Sequence, residues 1–273
     1  MKIISASRRT DIPAFYADWM IDRFREKFVD VINPFNNKIR TVHLDPEKVI
    51  AIVFWTKDAR PITRHLEEIV NLGHHFTFLY TINNYPKLVE PKVPSVGQTM
   101  KVVEHLSKNY GPNAFRWRYD TIVLTDTITR AWHINNFNKL CRLLSPFVTE
   151  CIFSFCDYYK KTRRKMKAAL PDYHEPDQGE TLEIARELER VASDHGIKML
   201  SCAHDFLAVG PIGKAKCIDA EFLKRLLHSD IRKQLIDKIG KKPSREGCGC
   251  IESIDIGRYN TCRHGCVYCY ATN

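Results

Sequence analysis

Short runs of apolar, β-branched and aromatic residues recur along the chain, and between them apolar residues return every three or four positions. The runs are KIISAS (2–7), VDVIN (29–33), VIAIVFWT (49–56), FTFLYTI (76–82), FRWRYDTIVL (115–124), CIFSFC (151–156) and IKMLSC (197–202), with 251–256 as an eighth. Each reads as a strand. The stretches 13–27, 61–72, 96–109, 134–145 and 179–195 read as amphipathic helices; in the last, Leu182, Ala185, Leu188 and Val191 mark one apolar face. Strands that are apolar throughout and alternate with helices predict a parallel sheet under a helical layer. Seven or eight such units favour a parallel (β/α) barrel, full or partial, over a dinucleotide-binding sheet. No G-x-G-x-x-G follows any strand, which points the same way. The expected organisation is a barrel-like domain over 1–246, with a cysteine-rich loop over 247–273 packed on its mouth.

In such a barrel, function sits at the C-terminal ends of the strands. Those ends are polar here. The first strand runs into Ser7-Arg8-Arg9-Thr10-Asp11, the second into Asn33-Pro34, the third into Trp55-Thr56-Lys57 and the fourth into Asn83-Asn84-Tyr85. Arg116, Arg118 and Asp120 alternate along the fifth and so share one side. The sixth ends at Asp157, the seventh at Cys202, His204 and Asp205. Each residue also has an ordinary reading. Asp11 before Pro13 suits a helix N-cap, Arg118 with Asp120 suits a structural ion pair, and the Asn positions suit turns. Their recurrence at one strand end after another makes Arg8, Arg9, Asp11, Asn33, Lys57, Arg118 and Asp120 the candidate polar lining of a site.

Ten cysteines change the picture. Five lie between Gly247 and Ala271, and Cys262, Cys266 and Cys269 have the spacing Cys-x3-Cys-x2-Cys. Three thiolates on so short a loop can grip three irons of a cubane cluster and leave the fourth open to a small molecule. The competing reading is a zinc loop completed by Cys248 and Cys250 or by His264. Cys202, Cys217, Cys248 and Cys250 form a second group, suited either to a tetrahedral structural zinc or to an auxiliary iron–sulfur cluster. Gly247 and Gly249 would let the backbone approach that metal. Alternatively, Cys202 and Cys217 are small buried residues, as Cys141, Cys151 and Cys156 are expected to be.

The formal net charge is +10 and 44% of residues are hydrophobic. The first fits either a polyanionic partner such as nucleic acid or plain solubility; the second suffices for one sizeable core. The basic run 160–167 (KKTRRKMK) is either a solvated face or a phosphate-tracking patch, and Tyr158 and Tyr159 beside it either stack bases or belong to the core or rim. No apolar run reaches membrane-spanning length and MKIISASRR lacks a signal-peptide core, so a soluble cytoplasmic protein without membrane partners is expected. Cysteines in that compartment serve metals or reactivity before disulfides. No G-x-S-x-G elbow marks a nucleophilic triad.

The Cys-x3-Cys-x2-Cys loop, with Tyr268 before its last cysteine, resembles the cluster loop of the radical S-adenosylmethionine (SAM) superfamily, displaced here to the C-terminus. With SASRRTDIPAFY, INPFN, VFWTK, FRWRYD, SFCDYY, SCAHD, AKCID and SIDIGRYNTCRHGCVYCYA, nearly the whole chain resembles the domain-of-unknown-function family 1848. The resemblance implies a [4Fe–4S] cluster on Cys262, Cys266 and Cys269, SAM chelated at its open iron, and reduction by an electron-donating reductase. SAM is then cleaved to a 5′-deoxyadenosyl radical that takes hydrogen from a substrate, which the resemblance does not name. Tyr268 would pack near the adenine, and Asn33 and the other polar strand ends would grip SAM or substrate. A different class stays open: a zinc- or iron–sulfur-stabilised nucleic-acid-binding protein without SAM turnover. So does a radical SAM activity on DNA or RNA.

Overall fold

The computed structural model describes residues 1–243 and 247–273. In chain order the strands are β1 (Lys2–Ala6), β2 (Phe28–Ile32), β3 (Ile39–His43), β4 (Val49–Thr56), β5 (Phe76–Thr81), β6 (Phe115–Ile122), β7 (Glu150–Phe155), β8 (Lys198–Ser201), β9 (Gly213–Lys214) and β10 (Ile254–Asp255). Eight of them form one sheet in the order β10-β1-β4-β5-β6-β7-β8-β9, parallel at every pairing. The sheet has two edges, β10 and β9, so of the expected barrel, full or partial, the closed form is corrected: the sheet is open and all-parallel.

Burial explains the order. All eight residues of β4 and all six of β5 are buried, as befits central strands covered on both faces. Alternate residues part company: Ile52, Phe54 and Phe78 join one apolar cluster, whereas Ala51, Val53, Trp55 and Leu79 join another. The helices are α1 (Ile12–Phe15), α2 (Ala17–Glu26), α3 (Arg60–Thr63), α4 (Leu66–Asn71), α5 (Val96–Tyr110), α6 (Arg130–Leu144), α7 (Lys160–Ala169), α8 (Gln178–Asp194), α9 (Ala220–Leu226) and α10 (Asp230–Asp237). Phe24 of α2, Ile69 of α4, Leu106 of α5, Phe137 of α6 and Leu188 of α8 fill the first cluster. The opposite face is covered by Leu223 of α9, Ile236 of α10 and the segment carrying Cys250 and Ile251. Arg232 of α10 donates to the carbonyls of Val49 and Pro46, at 3.0 and 3.2 Å, so these helices sit at the N-terminal end of β4. The C-terminal strand ends are left for the site.

Four expected elements change. VDVIN (29–33) does not join the main sheet: β2 pairs antiparallel with β3 in a separate hairpin. A tight turn causes this, with Asn33 N–H donating to Lys38 O and Asn37 N–H to Asn33 O, so the chain returns before any crossover can form. Its mixed burial, with Val29 buried and Asp30 exposed, also suits a strand wet on one face. The expected helix 13–27 is broken at Tyr16, and 61–72 is broken between α3 and α4. The expected strand 251–256 shrinks to β10, which pairs Ile254 with Ile4 and Asp255 with Ser5. The expected boundary at 246/247 falls on residues 244–246, outside the described residues. Among the described residues no helix is long and apolar enough to cross a membrane.

Trp117 on β6 is fully buried and donates Nε1–H to Ile82 O at 3.0 Å. Asp177 caps α8 by accepting from Glu180 N at 2.8 Å. Trp117→Ala is therefore expected to cost about 3–5 kcal/mol and Asp177→Ala about 1 kcal/mol. Urea unfolding checks both, the midpoint falling in that order with the slope unchanged.

Candidate functional site

Asp11 caps α1, accepting from Ala14 N at 3.0 Å. It does more than cap. Oδ1 also accepts from Thr56 Oγ1 at 2.8 Å, and Oδ2 accepts from the backbone N–H of Lys57 at 2.7 Å. Oδ2 lies 2.7 Å from Nε2 of His264, in the C-terminal loop. One buried carboxylate thus joins the end of β1, the end of β4 and the three-cysteine loop. The backbone amides of Asp11 and His264 both point at the Cys262 sulfur. Burial still pushes that thiol up, and the two amides pull the other way.

Lys57 comes next. Its Nζ lies 2.8 Å from Glu90 Oε1, an oxygen that also accepts from Asn83 Nδ2 at 3.0 Å and from the Tyr268 hydroxyl. The same ammonium stands 5.6 Å from the Tyr268 ring centre. Burial works against the Lys57 charge, but the charges of Glu90 and of a Cys266 thiolate outweigh it and hold its pKa above the ordinary lysine value. Cys266 is buried among Tyr85, Val89, Val267 and Tyr268. Burial drives its thiol far up, Lys57 opposes the rise, and charge on Cys269 or Cys262 adds to it. The three sulfurs therefore lie within electrostatic reach of one another. The Cys269 sulfur accepts from Ala271 N–H at 3.4 Å, and Lys165 of α7 donates to Cys269 O at 3.1 Å.

The remaining strand ends form a second patch. Asp255 of β10 accepts from Ser5 Oγ, Ser7 Oγ and the Arg8 amide at 2.9, 2.7 and 2.8 Å. Arg9 approaches Asp255 at 3.9 Å and lies 5.3 Å from the Tyr259 ring. Only glycine fits at 257, where a Cβ would fall 1.9 Å from Ser7 Oγ. The guanidiniums of Arg8 and Arg118 stack on the Trp55 ring, at 5.0 and 4.9 Å from its centre. Arg118 pairs with Asp120, which also takes the Ser154 hydroxyl. Arg8 makes no ion pair among the described residues.

The structure thus brings Asp11, Lys57, Tyr268 and the three loop cysteines into one network, with Arg8, Arg118 and Asp120 beside it. It also brings Cys202, Cys217, Cys248 and Cys250 together. Asn33 lies apart, exposed in the hairpin turn, its Oδ1 accepting from Phe35 N at 2.9 Å. Next to that turn a cleft of about 460 Å³ opens between Pro34, Asn37 and Arg9 on one side and residues 257–261 on the other. The sequence reading missed Glu90, the acceptor that Lys57, Asn83 and Tyr268 share. It stands in the loop between β5 and α5, and no local pattern marks it.

The family model described as "Domain of unknown function (DUF1848)" matches residues 3–271, nearly the full length, and the chain belongs to that family. Comparison with curated proteins gives no match.

Because the Lys57 value is raised above 10.5, the stability it contributes is fully present below pH 10.5 and is lost as pH rises through the higher folded value. Glu90→Gln leaves a mostly buried ammonium without its carboxylate, at an expected cost of about 3–5 kcal/mol. Melting temperature against pH reads both effects: the variant melts lower at pH 7 and begins its alkaline decline at lower pH than the parent. Coincident profiles would remove the pair from the account.

Proposed function

We propose that this chain is a radical SAM-type iron–sulfur enzyme, in which Cys262, Cys266 and Cys269 hold three irons of a [4Fe–4S] cluster and the fourth iron takes SAM. The observation that carries the reading is the setting of the three sulfurs: each has a backbone amide or a cation directed at it. The amides of Asp11 and His264 point at Cys262, Ala271 N–H at Cys269, and the Lys57 charge faces Cys266. At Cys262 and Cys266 these groups oppose the burial that raises the thiols, and they would stabilise thiolates once a cluster is bound. The donor set fits a site with one open iron better than a four-ligand zinc. His264, the nearest further ligand, has Nε2 turned to Asp11 and Nδ1 toward Lys92 O. When bound, the cluster supplies the electron that cleaves SAM reductively and starts radical chemistry on a substrate, with a reductase as donor.

The protein's own residues then have definite work. Asp11 orients His264 and with it the start of the loop. Glu90 fixes Lys57 and the Tyr268 hydroxyl in one geometry, leaving the Tyr268 ring to pack against the adenine. Arg8, whose guanidinium rests on Trp55 without a carboxylate, is the group offered to an anionic part of SAM or substrate. The apolar cluster of Tyr85, Val89, Val123, Ile128 and Val267 keeps water from Cys266, as radical chemistry requires of its surroundings.

A second reading, a metal-stabilised nucleic-acid-binding protein without turnover, is favoured by one observation. Helix α7 presents exposed Lys160, Arg164 and Lys167 while its Lys165 touches the three-cysteine loop. If this reading held, binding to nucleic acid would weaken steeply with salt.

Anaerobic reconstitution with iron and sulfide, reduction and addition of SAM test the proposal. The parent is expected to release 5′-deoxyadenosine, and Cys266→Ala none above background. Brown parent protein that binds iron but never cleaves SAM would overturn the enzyme reading.

A further inference from the structure

The four cysteines outside the loop come from three places: Cys202 follows β8, Cys217 follows β9, and Cys248 and Cys250 precede β10. The sulfurs of Cys202 and Cys217 stand 3.6 Å apart. Cys217 is also in hydrogen-bonding contact with Cys250, and Cys250 with Cys248. All four are reduced, and the contact is far too long for a disulfide, whose sulfurs stand about 2.05 Å apart.

We infer that Cys202, Cys217, Cys248 and Cys250 form a closed structural site for one tetrahedral zinc ion. The spacing selects a single ion over an auxiliary cubane cluster. With Zn–S near 2.3 Å, two thiolates on one tetrahedral zinc lie about 3.8 Å apart, close to the contact seen. In a cubane each thiolate serves a different iron, which spreads the sulfurs much more widely. Four soft thiolates and no oxygen donor favour zinc among the common divalent ions. The second shell is in place as well. Ile218 N–H donates to the Cys250 sulfur at 3.4 Å, and Arg116 donates to Lys216 O at 2.6 Å, fixing the backbone beside Cys217. The Arg118 cation acts on both Cys202 and Cys217 and offsets part of the negative charge that zinc with four thiolates carries. The backbone approaches closely where glycine permits: Gly247 has φ +71, and a Cβ there would fall 2.8 Å from Ala203 O.

Among the described residues no group of side chains already stands as a tight ligand set; the sulfurs run as a string, 202 to 217 to 250 to 248. Zinc closes the string, and the four thiol protons leave to solvent. With every position filled by protein, the site is structural. Its role follows from where the chain goes next. Residues 248–255 run from beside β8 and β9, at one edge of the open sheet, into β10, which pairs with β1 as the other edge, and then lead into the three-cysteine loop. Zinc fixes the start of that crossing.

The test uses the full chain with Cys262, Cys266 and Cys269 all changed to Ala, so that it is independent of the SAM reading. This variant, purified without added metal, is expected to be colourless and to contain one zinc per chain by elemental analysis. Adding Cys217→Ser should abolish the zinc. If that protein fails to fold, cobalt exchanged into the triple variant gives the readout, as the intense visible bands of tetrahedral cobalt thiolate. Iron with acid-labile sulfide in the triple variant, no zinc with all four thiols freely titratable, or zinc retained by a folded Cys217→Ser protein would each overturn the inference.

Discussion

The carboxylate of Asp11 is the interaction on which the site depends. Both of its oxygens are engaged, by two backbone amides, the Thr56 hydroxyl and His264, and all of this is buried. A carboxylate satisfied in this way acts as a rigid four-way joint, because any partner that leaves exposes a buried polar group. It fixes the C-terminal loop relative to the ends of β1 and β4. Cys262, two residues before His264, is thereby placed against the Asp11 amide, and Cys266 against Lys57. A loop at the far end of the chain thus gains a defined seat on the strand ends.

Arg118 links this seat to the second group of cysteines. It rests on Trp55, pairs with Asp120, and lies in the field of Cys202 and Cys217 on one side and of Tyr270 on the other. The two groups differ in size and setting. One brings four cysteines together; the other has three and sits beside polar groups such as Arg8. Charge follows the same division, with arginines near the first and Lys57 near the second.

Much of the frame was legible along the chain. Runs apolar throughout, such as 49–56 and 76–81, read as central parallel strands because nothing else buries every residue of so short a segment. The alternation of Arg116, Arg118 and Asp120 placed them on one face, which they share. Cys202, Cys217, Cys248 and Cys250, read as one group from three segments, do come together. What failed depended on pairing at long range or on one turn. VDVIN has the composition of a barrel strand, but the turn at 33–38 sends it into a hairpin and takes Asn33 with it. The Asp11–His264 pair joins residues 253 positions apart, and Glu90 gathers Lys57, Asn83 and Tyr268 from three segments. Neither leaves a trace in any local window.

The measurement that reaches the central claim most directly is electron paramagnetic resonance of the reduced, reconstituted protein before and after SAM is added. A three-cysteine cluster with an open iron predicts a [4Fe–4S]⁺ signal in the parent whose g-values shift on SAM binding and which is lost in Cys262→Ala. A signal indifferent to SAM, or no iron–sulfur signal at all, would contradict it.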